Sequence, residues 1–155
     1  MYIGEGVAMG FEIKNLDSLF AKLNSMDDAA VKAVEKGMKQ GIKYTQAEAK
    51  LLCPVDTGDL RNSIKSRVEI DGRAVSGIVA TNNDHAAYVE FGTGQRGEAS
   101  PSPPKSDLEG LHYKKDWKGQ PAQPFLYPAI HATKDQVTKV VSDVAIKELL
   151  KAVGK

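Results

Sequence analysis

A run of apolar residues at helical spacing extends from Ala30 to Leu52, and Pro54 follows directly after it. Apolar positions that recur every three or four residues predict one long amphipathic helix, and a proline at this place predicts where it ends. Such a helix must bury its apolar side against a second layer of structure. The apolar stripe consists of Ala30, Val31, Val34, Met38, Ile42, Thr45, Ala49 and Leu52.

The region before this helix is predicted to be less regular. Residues 1–9 are predicted to form a flexible leader, and the alternation in Phe11–Ile13 predicts a short strand. Asn15 is a suitable N-cap for a helical pattern in residues 16–23, which residues 24–28 interrupt or bend.

Two further features of the long helix, Gly37 and Gly41, lie one turn apart. They indicate either local weakness or the close approach of a neighbouring element.

Two strand-like runs, Ser63–Ile70 and Ala74–Thr81, flank an Asp-Gly turn signal at positions 71 and 72. They predict a β-hairpin in which Val75, Gly77 and Val79 share one face. A last helix is predicted to begin near Pro128, which suits a helix N-terminus. Glycines and prolines are frequent between the hairpin and this helix, and they predict an extended loop at about 95–121.

Together these elements predict an α+β fold: a small antiparallel β-sheet packed by a long N-terminal helix and a C-terminal helix, with a long loop before the last helix. The chain has 155 residues, of which 41% are hydrophobic and 26% charged. These values are typical of one globular domain, which we predict to span residues 10–153.

Charge and cysteine content narrow the function classes. A formal net charge of +1 gives no electrostatic reason to expect a dedicated nucleic-acid binder. The single cysteine, Cys53, excludes an intrachain disulfide, and one cysteine with three scattered histidines makes a structural zinc site improbable. The chain has no apolar run of the length that spans a bilayer, so we expect no membrane partner.

The sequence offers little catalytic chemistry. Cys53, with His85, His112 or His131 as a base, is the most obvious nucleophile, but its place at the apolar end of a helix favours a buried, inert thiol. Residues 92–97 superficially resemble a phosphate-binding glycine loop without its lysine, and loop flexibility explains these glycines more simply. We therefore expect no enzymatic activity, no catalytic residue, no cofactor and no metal.

Aromatic and basic residues alternate in the centre of the predicted loop, where they form a candidate partner-docking surface. Such side chains mark protein interfaces, and they also serve single-stranded nucleic-acid sites by stacking and by contacting phosphates. Binding of nucleic acid by this loop is therefore the alternative function. The candidate docking residues are His112, Tyr113, Lys114, Lys115, Trp117 and Lys118.

Three motifs occur in order: Pro54–Ile64 (PVDTGDLRNSI), Ala87–Gly94 (AYVEFGTG) and Gln123–Ala129 (QPFLYPA). They resemble the tail-component family of long-tailed bacteriophages and prophages, which includes tail-completion and head–tail joining proteins. The resemblance covers roughly residues 10–153 and departs at residues 95–120, a stretch longer than in the family. The motif residues that it marks as structural or interface positions are Asp56, Thr57, Gly58, Leu60, Arg61, Tyr88, Glu90, Phe91, Gly92, Thr93, Pro124, Phe125, Leu126 and Pro128.

The residues themselves predict parts of the motif geometry. Asp56 or Thr57 is expected to cap a single helical turn, so that Leu60 is buried and Arg61 remains available for a carboxylate. Glu90 is the predicted partner of Arg61. Phe91 and Phe125 are expected to cover the sheet.

The resemblance implies a structural virion protein that acts in tail completion or head–tail joining. It implies a homo-oligomeric ring, often hexameric, at the interface of tail and neck, in contact with tail-tube and head-completion or connector proteins. DNA would pass through the lumen of such a ring without being read. The implied location is the virion, and the host cytoplasm during assembly.

Overall fold

The computed structural model describes residues 7–12, 27–105 and 111–154. Two long helices and a three-stranded sheet form most of it, and three short helices lie between them. In chain order the elements are β1 Val7–Glu12, α1 Asp27–Leu52, α2 Asp59–Ser63, β2 Lys65–Asp71, β3 Ala74–Thr81, α3 Ala86–Phe91, α4 Gly94–Ala99 and α5 Leu126–Val153. The predicted α+β class is confirmed.

Helix α1 has the buried stripe that the sequence predicts. Of the predicted stripe, Ala30, Val34, Met38, Ile42, Thr45 and Ala49 are buried, whereas Val31 is partly buried and Leu52 is exposed. The helix ends at Leu52, two residues before the proline. The helical pattern predicted for residues 16–23 lies outside the described residues.

Helix α5 packs antiparallel along α1, and the two glycines of α1 permit a close crossing. A Cβ atom added to Gly37 would lie 2.8 Å from both the Cα and the carbonyl oxygen of Val141. One added to Gly41 would lie 3.0 Å from Cγ1 of Val137. Of the two explanations for these glycines, close approach of a neighbouring element is therefore correct.

The sheet has the strand order β1-β3-β2, and both pairings are antiparallel. The hairpin turns at the predicted Asp71-Gly72 position, where Gly72 has φ +57°. Along β3 burial alternates strictly, with Val75, Gly77 and Val79 on the buried face. This face lies under α1, and Gly77 provides space there for the sulfur of Met38.

Several predicted boundaries differ from the structure. The first strand of the hairpin begins at Lys65 and not at Ser63, which is the last residue of α2. Strand β1 begins at Val7, so residues 7–9 pair with β3 and are not part of a leader. The predicted loop at 95–121 contains most of the short helix α4. Among the described residues, no helix combines the length and apolar character needed to cross a bilayer.

Candidate functional site

Glu90 is a fully buried carboxylate at the junction of α3 and α5. Its Oε2 accepts hydrogen bonds from the backbone N–H groups of Phe125, at 2.8 Å, and Leu126, at 2.9 Å. Its Oε1 accepts a third, at 2.8 Å, from the N–H of Tyr127. Because a helix N-terminus carries partial positive charge, this carboxylate is compensated electrostatically as well as by hydrogen bonds.

The N-terminus of α5 thereby has no unsatisfied donor. A helix begins with four N–H groups that have no partner within the helix. In α5 these belong to the N-cap Phe125 and to the next three positions, of which the third is Pro128. Glu90 binds three of the groups, and the proline has no N–H to satisfy. Two of the three sequence motifs are therefore joined physically by one buried carboxylate.

The predicted ion pair between Arg61 and Glu90 is wrong. Glu90 is directed at the backbone of α5, and Arg61 is exposed and forms no salt bridge in the described part of the chain. Both charges lie close enough to Cys53 to influence its pKa in opposite directions. Direct pairing of these two side chains is therefore not observed.

The turn of the first motif is held by its own side chains. Thr57 Oγ1 donates to the Asp59 carboxylate at 2.8 Å and accepts from the Asp59 N–H at 3.3 Å. The N-cap of α2 is Gly58, at φ +89°, so neither Asp56 nor Thr57 occupies the cap position, although Thr57 binds the first N–H group of the helix. Leu60 packs against the core but is only partly buried, and Asp56 is exposed.

Residues 111–123 are docked along the second motif by backbone hydrogen bonds. Thr93 and Gln120 exchange two, from the Thr93 N–H at 2.8 Å and from the Gln120 N–H at 3.0 Å. The N–H groups of Gln95 and Arg96, at the start of α4, donate to the carbonyls of Trp117 and Lys118. The amides that a phosphate would require are therefore already occupied, and the similarity to a glycine-rich phosphate loop has no structural counterpart.

Glycines in this segment are required by close backbone contact, and the expectation that loop flexibility explains them is wrong. Gly92, Gly94 and Gly119 have φ of +71°, +58° and +63°. A Cβ atom on Gly92 would lie 2.6 Å from the Ala122 nitrogen, and one on Gly119 would overlap the carbonyl of Thr93. The described parts of the segment are therefore tightly packed.

Tyr113 anchors the segment and does not project from it. Its hydroxyl donates to the Phe91 carbonyl at 2.9 Å. The Lys105 ammonium lies 5.6 Å from the ring centroid and also donates to the carbonyls of Glu98 and Ser100. Burial, with a smaller contribution from Glu98, raises the pKa of Tyr113. The role of Lys105 could not be predicted from the sequence, because its partners are backbone carbonyls.

An open cleft of about 840 Å³ lies between the second motif and the docked segment. Two aromatic side chains at this cleft are strongly exposed, Trp117 at 52% and Tyr88 at 43%. We call it the aromatic-basic cleft. It is lined by Tyr88, Gly92, Thr93, Gly94, Leu111, His112, Tyr113, Lys114, Asp116, Trp117 and Gln120.

The structure thus brings most of the predicted docking residues together with the second motif. Lys114 lines the cleft, whereas Lys115 and Lys118 lie on the same exposed segment outside its lining. Phe91 and Phe125 are buried in one core cluster with Val79 of the sheet. Pro124 and Thr93 are partly buried, between this core and the segment.

Cys53 is buried, and desolvation raises the pKa of its thiol. The nearby Arg61 lowers this pKa and Glu90 raises it, each by less than burial does. The thiol is therefore held in its protonated, weakly nucleophilic form. Among the described residues, no group of three His, Cys, Asp or Glu side chains is arranged to hold a metal ion.

Residues 17–92 match the family model described as "Bacteriophage HK97-gp10, putative tail-component". The match includes α1, the first motif, the hairpin and the second motif up to Gly92. It is shorter than the expected 10–153 and ends before the docked segment and the third motif. No curated protein and no solved structure matches the chain. Over residues 17–92, just under half of its length, the chain is similar to the HK97-gp10-like family of putative bacteriophage tail components, and this similarity suggests a structural phage tail protein.

Proposed function

We propose that this tail protein acts in tail completion or head–tail joining, as an oligomeric ring, with six subunits as the expected number, at the interface of tail and neck. Its neighbours in this proposal are further copies of itself, the tail tube and head-completion or connector proteins. DNA passes through the ring without being read. Assembly takes place in the host cytoplasm before the protein becomes part of the virion.

The observation that carries the proposal is the family match over residues 17–92, which contain α1, the hairpin, the first motif and the second motif up to Gly92. The surface supports it, because exposed Trp117 and Tyr88 flank a cleft fixed by backbone hydrogen bonds. Rigid aromatic side chains at a preformed cleft are typical of protein interfaces.

We also propose that the role is structural and not enzymatic. The Cys53 thiol is buried and its pKa is raised, so the chain's one cysteine is poorly suited to nucleophilic attack. Cys53→Ser is expected to leave assembly unchanged, provided that the variant folds.

The decisive experiment is disruption of the gene in the phage that carries it, with the wild-type gene supplied in trans as the control. We expect DNA-filled heads and tails that fail to join, or tails of abnormal length, in negative-stain electron microscopy. Complementation should restore complete particles, and antibody against the protein should label the tail end at the neck. Normal infectious particles without the protein would refute the proposal.

Nucleic-acid binding remains the second candidate, favoured by the exposed Trp117 beside Lys114, Lys115 and Lys118. If these lysines bind duplex phosphates, log K should fall with log salt at a slope of about −0.9 per phosphate neutralised. Replacement of all three by alanine should then make this slope shallower by the contribution of about three phosphates. We expect no such salt-dependent binding at physiological ionic strength.

A further inference from the structure

A second surface of unusual composition lies where α1 ends and the first motif begins. Leu51 is 77% exposed and Val55 is 55% exposed, with Leu52 also exposed beside them. Asp56 and Asp59 follow, both exposed, and residues 51–60 contain no lysine or arginine. We call residues 51–59 the apolar-acidic knob.

The knob is preorganised for contact. The hydrogen bonds between Thr57 and Asp59 fix the turn, and the Asn62 N–H donates to the Gly58 carbonyl at 2.9 Å. Pro54 is fixed in φ by its ring. A surface that is already ordered loses little conformational entropy when it binds, which favours its use as an interface.

The aromatic-basic cleft is complementary to this knob in both polarity and charge. Trp117 and Tyr88 provide exposed aromatic surface for leucine and valine side chains. Residues 112–118 contain three lysines and one aspartate, of which Lys114 and Asp116 line the cleft. The knob contains two aspartates and is flanked by Lys50 and the exposed Arg61, so the complementary charges are those of Asp56 and Lys114.

We propose that the knob of one copy of this chain occupies the aromatic-basic cleft of the next copy, with Val55 against Trp117 and Asp56 beside Lys114. This inference rests on the proposed ring, for which it names the surfaces that meet. A contact between two different surfaces of one chain is heterologous, and it produces a closed ring when the rotation between copies closes. Each copy in such a ring has one knob and one cleft engaged.

Trp117 makes the contact directly observable, because it is the chain's one tryptophan. Raising the concentration of the wild-type protein should shift its emission to the blue, in parallel with the increase in mass measured by sedimentation. Val55→Ser and Asp56→Lys should each weaken association about tenfold, the scale expected for central contacts of an interface. Far-UV circular dichroism and thermal unfolding establish that each variant is folded.

The matched control is Leu150→Ser, which replaces an equally apolar side chain, 69% exposed, near the far end of α5. This variant should associate as the wild type does. Lys114→Glu should weaken association as Asp56→Lys does. Combining the two reversals in one chain should recover most of the loss, because the opposite charges then meet again.

Mixing two variants tests the direction of the contact. Val55→Ser keeps an intact cleft, and Lys114→Glu keeps an intact knob, so a mixture of the two should form dimers. These dimers cannot extend, because the remaining knob lacks Val55 and its Asp56 would face the glutamate introduced at position 114. Larger assemblies from this mixture would refute a heterologous contact that needs both surfaces on every copy. If the wild type assembles but Trp117 emission and the knob variants do not change, this interface is refuted and the ring remains. A wild-type chain that never associates, in solution or on tail tubes, would refute both.

Discussion

Backbones approach each other closely at glycines both in the α1–α5 helix pair and in the segment at residues 92–123. The pattern of these contacts differs between the two regions. In the helix pair, Gly37 and Gly41 lie one turn apart and face Val141 and Val137. In the segment, contacts join residues that are far apart in sequence and follow no period, such as Thr93 with Gln120. The first region is regular and the second irregular, yet its described parts are no less closely packed. In the described parts of the segment, an irregular backbone is therefore not a loosely packed one.

Glu90 lies where the two regions meet, and its removal should have the largest effect. Glu90→Ala leaves three N–H groups without an acceptor, two of them buried and that of Tyr127 partly buried, and each buried one costs about 1–3 kcal/mol. We expect a loss of about 3–5 kcal/mol in the free energy of unfolding, measured by urea denaturation. Glu90→Gln keeps one oxygen acceptor and should lose less.

Glu69→Ala is the matched control, because Glu69 is an exposed glutamate whose ion-pair partner in the described part of the chain is the exposed Arg67. Its effect should remain within about 0.5 kcal/mol. If Glu90→Ala were as mild as this control, the carboxylate would not be what joins the second motif to α5.

Gly119→Ala should have the next largest effect, and it should act on the irregular segment alone. The new Cβ would overlap the Thr93 carbonyl, in a residue whose φ of +63° already disfavours a side chain. We expect a local cost of about 2–3 kcal/mol, seen as lost amide hydrogen-exchange protection at Thr93 and Gln120. Protection in α1 should not change.

Gly72→Ala is the control for Gly119→Ala, because it introduces backbone strain at a glycine without a close contact. Gly72 has a similar φ of +57°, but a Cβ there would meet nothing within 4 Å. It should cost about 1 kcal/mol and leave the segment protected. Equal loss of protection at Thr93 in both variants would contradict the close packing of residues 93 and 119.

The same contrast explains what could be predicted from the sequence. The spacing of three or four residues predicted α1 and the alternation predicted β3, because each pattern repeats within its own element. Asp71-Gly72 predicted the hairpin, because these two residues form the turn themselves. Gly37 and Gly41 could be noticed for the same reason. The α+β class followed from the order of these elements.

The candidate site was only partly predictable, because its contacts are neither local nor periodic. The motif containing Glu90 could be recognised, but its partners are three backbone N–H groups 35 to 37 residues later, and no side chain marks them. Charge suggested Arg61 as the partner instead. The docking of Tyr113 on the Phe91 carbonyl was equally invisible, since a carbonyl is present at every residue.

The smallest effects are expected in the helix pair, where two opposing terms nearly cancel. Alanine gains about 1 kcal/mol over glycine within a helix. At Gly37 the new Cβ would lie 2.8 Å from backbone atoms of Val141, which cannot yield unless the helices separate at a cost of about 1–3 kcal/mol. Gly37→Ala should therefore lower the free energy of unfolding by about 1 kcal/mol.

Gly41→Ala provides the comparison within the same helix. Its nearest neighbour is the Cγ1 atom of Val137, 3.0 Å away, and a side chain can adjust where a backbone cannot. Overpacking should then roughly offset the gain in helix propensity, so the free energy of unfolding should change by less than about 0.5 kcal/mol. Urea denaturation of both variants measures the difference. If both alanines stabilised the chain equally, only the higher helix propensity of alanine would be acting at these positions. The helices would then not cross as closely as the contact between Gly37 and Val141 indicates.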